Sequence, residues 1–413
     1  MNQRRGLSGL LFAAVAVRLL YCYVFGPYEP GGEIPDLDVY QSFAHSLRTT
    51  GRFALDGTLS ASREPAYPIF LAFLYSAFGA SFPVVWAAHA LMDAATVYLV
   101  FLLGERVFSR NVAWAAAVFA AFYPQFIFYA GEPRRESMLV LMLALSVWSL
   151  LRACEKPAAR LFALSGCFWS WLSLTNSVFL PVGVLAGLGG WTLGRRRGVS
   201  LNKGTAVFLA AFIGLYALWP IRNFLVFDKF IAGITAGGAH IYVSLVVPND
   251  VAGTPEEEAF VLADPVLMAA KDLPEDQKDR YFYSSAVRWV LAHPFRYLGV
   301  MAGSFIKLWR LYPYERNYGT SYRKIKTVSL LSDGWLIPLF FIGVFLAGRR
   351  FPEADIFLIA VFATTFAYMV FWAVVRYRLP LMPYVFIYSA YALERFLGRF
   401  RPGCLPFKSS ESA

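Results

Sequence analysis

The sequence predicts an all-α polytopic membrane protein, a bundle of about 10–11 transmembrane helices with juxtamembrane helices on its outer surface. Three observations carry this. Of 413 residues, 58% are hydrophobic and 17% aromatic but only 16% charged, which is too apolar for one soluble core. Apolar runs long enough to cross a bilayer recur along the whole chain. Lys and Arg gather in the short loops between those runs, so the net charge of +11 follows topology and does not point to nucleic acid.

The first span runs from Leu7 to Phe25 behind Arg4 and Arg5. No small-residue cleavage pattern follows Tyr23, so it reads as an uncleaved helix with its N-terminus inside. Between this span and the next lies the first outer loop, residues 26–80. In it Asp36 and Asp38 precede an amphipathic segment whose apolar positions (Tyr40, Phe43, Ala44, Leu47) recur at helical spacing, as in a helix lying flat on a membrane. After the Arg63-Glu64-Pro65 corner, residues 67–78 read as a second, partly immersed helix.

Further spans fall at about 82–104, 111–129, 136–152, 160–175, 177–193, 204–226, 328–347, 354–374 and 380–397. The loops this order places inside hold Arg106 and Arg110, then Arg152, Lys156 and Arg160, then Arg195, Arg196, Arg197 and Lys203, then Arg349 and Arg350, and finally a tail with Arg395, Arg399, Arg401 and Lys408. One orientation satisfies them all. The longest polar stretch, 227–293, falls outside and carries ten acids against five bases. Segment 295–311 is amphipathic, and parity favours an interfacial helix over an eleventh span. The expected organisation is a module of residues 1–226, an outer region of 227–327, and C-terminal helices with a basic tail over 328–413.

Other features are bland. Cys22, Cys154, Cys167 and Cys404 show no paired spacing and read as small apolar fillers. His45, His89, His240 and His293 lack metal-ligand spacing. Glu256 to Glu258 reads as a solvated face. Asn176 sits in a tight turn between two short spans and receives no role. The closing KSSESA reads as a tail.

Ionisable residues at the outer ends of spans are the functional candidates, because charge beside a bilayer is costly. They are Asp36 and Asp38; Arg63 and Glu64; Glu132, Arg134, Arg135 and Glu136; Arg222; and Arg376 with Arg378, all on one face in this topology. A carboxylate there could take a proton from an attacking hydroxyl while arginine forks hold a departing phosphate. A lipid phosphate as leaving group would keep its tail in the bilayer, and attack at a sugar's anomeric carbon from the opposite side would invert it. A second carboxylate could bind a divalent cation or orient sugar hydroxyls. Each piece has an ordinary alternative: helix cap for the Asp pair, helix start for Glu132 to Glu136, headgroup anchor for Arg376 and Arg378.

The stretches DLDVYQSFAHSLRTTGRF, REPAYPIFLAFLYSAFG, AFYPQFIFYAGEPRRESMLVLMLAL, LWPIRNFLVFDKFIAGITAGGAHIY, HPFRYLGV and RYRLPLMP, in this order, resemble the GT-C superfamily of membrane glycosyltransferases. The branch is that of the protein O-mannosyltransferases and the aminoarabinose transferase of lipid A, the glycosyltransferase 39 type. The resemblance implies a GT-C-like bundle, a polyprenyl-phosphate-linked sugar donor, a glycan, lipid or protein acceptor outside the cytoplasmic membrane, and inverting transfer. It implies a catalytic acid four residues before a Tyr, which here is Asp36 before Tyr40, with Asp38 the near alternative. The second acid of the family matches Glu136. The basic residues near the lipid phosphate correspond to Arg63, Arg222 and Arg376 or Arg378; Glu64, Tyr67, Glu132 and Arg135 are further candidates. The sequence is shorter than the members with large C-terminal outer domains and is expected to place only 227–293 outside, where acceptor recognition usually differs.

Two other classes compete. A transporter or flippase would use a mid-bilayer charge, for which Asp93 is the candidate. A non-catalytic partner in envelope-glycan assembly would tolerate loss of Asp36.

Overall fold

The computed structural model describes residues 2–251, 254–317 and 319–399; Arg401, Cys404, Lys408 and the KSSESA ending lie outside them. The chain begins with α1 (Asn2–Val24), then crosses the first loop through α2 (Tyr40–Thr50), a two-stranded hairpin of β1 (Ala54–Leu55) and β2 (Thr58–Leu59), and α3 (Ala66–Phe78). The expected amphipathic helix is present, but its stripe does not face lipid. Tyr40, Phe43 and Ala44 are buried against α3, Phe53 and Trp219, because the hairpin folds back over them. Helix α3 does keep an apolar outer face, with Phe73 69% and Phe78 70% exposed.

The bundle follows with α4 (Phe82–Val107), α5 (Arg110–Phe122), α6 (Pro124–Ala130), α7 (Glu136–Glu155), α8 (Ala159–Thr175), α9 (Phe179–Arg196), α10 (Asn202–Tyr216) and α11 (Leu218–Phe227). Helices α5 and α6 replace one expected span and meet at a bend of 47°. Pro124 explains the bend: it cannot donate to the preceding turn, and it pushes Tyr123 into extended backbone. Among the described residues five helices are long and apolar enough to cross a membrane, or six with the bent pair as one span. Helices α8 and α9, with 17 and 18 residues, are about 26 Å long and only just match a hydrocarbon core. They pack inside the bundle with α10, where a side chain on Gly166 would stand 2.4 Å from the Phe208 carbonyl oxygen. Small residues of this kind let helices in lipid approach backbone to backbone.

The polar stretch after α11 is itself helical: α12 (Gly237–Val246), α13 (Glu257–Ala263), α14 (Pro265–Ala269) and α15 (Glu275–Ala292). Tyr242, Leu245, Leu267, Phe282 and Ala286 give it an apolar cluster of its own. Helix α16 (Pro294–Trp309) buries Ser304, Lys307, Leu308 and Trp309 while Phe295, Leu298 and Ile306 stay exposed. Its 16 residues reach about 24 Å. The chain ends through α17 (Tyr322–Ala347), α18 (Ala354–Val370) and α19 (Met382–Arg399).

Charges sort to the two ends of this bundle. At one end Arg106 meets Glu155 at 2.7 Å, Arg196 pairs with Asp355 and Arg197 with Glu353. These are loops that charge distribution assigns to a single side. Buried ion pairs lie between the ends, Arg18 with Asp93 and Arg378 with Asp333. Arg18 is completely buried, binds Asp93 at 2.6 Å and donates to the Ala14 and Ala121 carbonyls at 2.9 Å. The mid-span acid that would have served a transporter is thus paired.

Candidate active site

The first loop enters the site through a backbone strained at two successive residues. Asp38 (φ 63°) and Val39 (φ 58°) both adopt the left-handed region, which a β-branched residue rarely accepts. This turn separates the two aspartates. Asp36 faces the start of α2, where it accepts from the Gln41 amide at 2.8 Å, the Ser42 amide at 3.2 Å and the Ser42 hydroxyl. Its carboxylate is spent as a helix cap. Asp38 instead turns to the segment before α7 and the segment before α19.

There Asp38 Oδ2 is held by the Arg134 guanidinium, with Arg376 Nη1 at 3.6 Å. The other edge of Arg376 lies 3.6 Å from Glu136 Oε1. Arg63 donates to the Asp38 carbonyl at 3.0 Å. Burial alone would push the Asp38 carboxyl up, but Arg376, Arg134, Arg135 and Arg63 outweigh it and hold the group below its ordinary range. Glu136 opens α7, where the positive end of the helix favours an anion. Its Oε2 is buried with no hydrogen-bond partner among the described residues, so a donor-bearing ligand would find a free acceptor there.

Beside this cluster lies a second. Glu64, 4% exposed, accepts from Arg135 at 2.6 Å and from the Ser177 amide and hydroxyl, both at 2.9 Å. Arg135 also donates to the Thr175 carbonyl at 2.8 Å and lies 6.0 Å above the Tyr40 ring. Burial raises the Glu64 carboxyl, yet Arg135 and the Ser177 bonds bring it below the usual value. Tyr40 packs edge-on against Tyr67, whose hydroxyl meets His89 Nε2 at 3.1 Å. Glu132 sits on the far side, 3.5 Å from Arg134 and accepting from Tyr28 at 3.4 Å. Burial pushes its carboxyl up, only partly offset by Arg134.

Two expected phosphate ligands point elsewhere. Arg222 donates to the Ser60 and Phe53 carbonyls, each at 2.8 Å, and lies 5.1 Å from the Trp219 ring, so it clamps the β hairpin to α11. Arg378, 1% exposed, binds Asp333 Oδ2 at 2.8 Å and the Leu308 and Arg310 carbonyls, while Gln125 donates to the same Oδ2 and Tyr123 to Oδ1. Of the candidate arginines, Arg63, Arg135 and Arg376 stay with the acids. Arg134, beside Arg135 in the sequence, joins them. Nothing in the sequence separates these two neighbours, because the direction each takes is set by the turn before α7.

Among the described residues no three His, Cys, Asp or Glu side chains converge as a metal-binding group. The Asp38 carboxylate is held by guanidiniums, a donor set that does not fit a divalent cation.

A cavity of about 560 Å³ opens from the Glu64–Arg135 pair toward α12 and α15. Asn176, which sequence reasoning left without a role, lines it and donates to Tyr368 at 3.0 Å.

Residues 62–225 match the family model described as dolichyl-phosphate-mannose-protein mannosyltransferase. No curated protein matches the chain in sequence. Among solved structures, the archaeal oligosaccharyltransferase AglB from Archaeoglobus fulgidus, in complex with an inhibitory peptide and a dolichol-phosphate, is similar with TM-score 0.56 and 14% identity over 98% of this chain and 53% of that one. Its apo form is similar with TM-score 0.58 and 13% identity over 97% and 51%. ArnT from Cupriavidus metallidurans, bound to undecaprenyl phosphate, gives TM-score 0.43 and 14% identity over 94% and 78%. The chain spans about half the length of the oligosaccharyltransferase it matches. It has the fold of the GT-C superfamily of membrane glycosyltransferases, and the segment carrying Arg63, Glu64, Arg134, Arg135 and Glu136 matches the mannosyltransferase family model.

Proposed function

We propose that this chain transfers a glycosyl group from a polyprenyl-phosphate donor to an acceptor hydroxyl, with inversion, at the outer face of a cytoplasmic membrane. The observation that carries the reading is the convergence of Asp38 with Arg134, Arg376 and the half-satisfied Glu136 at the end of the bundle opposite the basic loops. The family match and the shared fold with a structure that holds a dolichol-phosphate support it.

Asp38 rather than Asp36 is assigned as the base. The Asp36 lone pairs already serve α2, whereas Asp38 is paired only with arginines that a phosphate would attract. When the donor phosphate takes Arg134 and Arg376, Asp38 is released and its affinity for a proton recovers. The acceptor oxygen then bonds to the anomeric carbon as its proton passes to Asp38. On the opposite face the bond from that carbon to the phosphate oxygen breaks, and polyprenyl phosphate leaves with its charge held by the guanidiniums. Glu136 Oε2 is free to accept from a sugar hydroxyl. Asp93 is paired with Arg18, and Asp333 with Arg378, Tyr123 and Gln125, which favours transfer over proton-coupled transport at these acids.

The test uses full-length protein in nanodiscs with a radiolabelled polyprenyl-phosphate sugar pool and envelope extract. Asp38→Asn should lower transfer by about 10²-fold or more, as for a missing general base, and Asp36→Asn should retain most of it. Loss with Asp36→Asn alone would sink the assignment of Asp38. Consumption of no such donor by any form would sink the reaction.

A further inference from the structure

The cavity beside the Glu64–Arg135 pair has walls of an unusual mixture. One side is aromatic: Tyr368 and Tyr377 stack at 4.9 Å, and Trp372 continues that surface. Tyr283 faces them from α15, its hydroxyl seated against bare backbone, since a side chain on Gly237 would lie 2.3 Å from it. Val178, Leu180, Pro181, Phe230, Ile231 and Ile234 continue the apolar surface, and polar groups stand among them. Asp279 accepts from the Gly238 amide at 2.7 Å, and Lys229 pairs with Asp276 at the edge. A sugar ring has an apolar face of C–H groups and an equator of hydroxyls, and both find partners here.

His240 occupies a particular place in this wall. It stands on α12 with its ring exposed to the cavity, and no hydrogen bond to the imidazole occurs among the described residues. The charged groups that act on it are Arg63, Glu64, Arg135 and Asp38, so it faces both acid–arginine clusters across the open space. Desolvation by the cavity walls, with Arg63 and Arg135 adding to it, lowers the ring's pKa and favours the neutral imidazole. A neutral imidazole offers one donor and one acceptor.

We propose that this cavity is a saccharide subsite, in which the aromatic walls stack on a pyranose and His240 is the positioning residue that holds a ring hydroxyl toward the acid–arginine clusters. The inference rests on the glycosyl-transfer reading above and names where a sugar sits during it. The sugar is either the one being moved or the one that receives it; the chemistry of recognition is the same.

Binding is measured by saturation-transfer NMR on the full chain in nanodiscs, with methyl hexopyranosides and methyl pentopyranosides as probes. At least one pyranoside should receive saturation. His240→Ala should weaken it about tenfold, the effect of one lost hydrogen bond in a desolvated site, and His240→Gln, which keeps a donor and an acceptor, should restore it. In the transfer assay His240→Ala should raise a KM with kcat nearly unchanged. A rise in the donor KM marks the sugar as the donor's, and a rise in the acceptor KM marks it as the acceptor's. No pyranoside binding, equal binding by His240→Ala, or a fall in kcat with both KM values unchanged each overturns the subsite. Pyranoside binding needs no turnover, so Asp38→Asn should preserve it. Failure of glycosyl transfer with sugar binding intact therefore counts against the reaction and not against the cavity.

Discussion

Beside Arg134 and Arg376, Asp38 plays the part of an anion that belongs elsewhere. Its carboxylate occupies Arg134 and sits 3.6 Å from Arg376, where the donor phosphate is proposed to bind. Replacing it with Asn removes the competing charge while keeping the shape. Two opposite effects should follow: transfer collapses for want of a base, and a bare lipid phosphate binds more tightly. The size can be worked from the contacts. A charge-assisted bond such as the one to Arg134 contributes about 1.5–3 kcal/mol, and Arg376 lies beyond hydrogen-bond reach, so it adds only Coulomb attraction. With Arg134, Arg376 and Asp38 19%, 26% and 27% exposed, solvent screening keeps the total near the low end, about 1–2 kcal/mol. That is about a 5- to 30-fold tighter Kd. The assay is equilibrium binding of undecaprenyl phosphate, with no sugar attached, to wild type and Asp38→Asn in nanodiscs, with Tm measured on both. An unchanged or weaker Kd at equal Tm would refute the idea that Asp38 and the phosphate share the same arginines.

Three further outcomes test the rest. Asp36→Ala removes the acceptor of the α2 cap and should cost about 1 kcal/mol of stability, seen as a lower Tm, with transfer reduced less than tenfold. Arg378→Ala leaves the Asp333 carboxylate buried without its cation and should cost about 3–5 kcal/mol; expression and Tm should collapse, and adding Asp333→Asn should recover part of the loss. Asp38 and Glu64 have carboxyls held below their ordinary values of 3.8 and 4.5, so their contribution is complete above about pH 4.5 and is lost as pH falls through the folded values. Glu132, raised by burial, acts in the opposite sense, losing stability as pH rises above the ordinary value. The Tm of wild type should therefore drop on acidification below about pH 4.5, and Glu64→Gln, although destabilised at neutral pH, should show a shallower drop.

Much of the bundle was legible because the bilayer imposes it. Spans had to be apolar over a fixed length, and loops had to carry their Lys and Arg on one side, so helices appear close to where hydropathy puts them. The breaks in two spans were less legible. Pro124 carried a signal at the α5–α6 bend, and Pro220 in the first turn of α11 carries one where α10 passes into α11, since it cannot donate to the Tyr216 carbonyl, although the two run on as one span. The apolar stripe of α2 was read correctly as a helix face and wrongly as a lipid-facing one. Periodicity says that a face is buried without saying against what.

The arginines divide in the same way. Their sequence positions at span ends put Arg63, Arg222, Arg376 and Arg378 in one class, yet Arg222 and Arg378 turn to backbone carbonyls and a buried aspartate. A guanidinium reaches several ångströms in any direction, and which partner it finds depends on the packing of elements far apart in the chain. His240 gave no signal in the sequence, since no ligand spacing surrounds it and the cavity it faces is built from seven separate stretches of the chain.

The sequence by itself determined that this chain lives in a membrane, that acids and arginines concentrate at one of its faces, and that their order resembles a GT-C transferase, because lipid tolerates few polar groups and each must be justified by position. Only the tertiary structure decided which carboxylate meets which guanidinium. The left-handed turn at Asp38 and Val39 sends two aspartates, two residues apart, in different directions: one to cap a helix, the other into the arginine cluster. That choice depends on contacts with residues nearly a hundred and more than three hundred positions away, Arg134 and Arg376, and no local pattern can encode it.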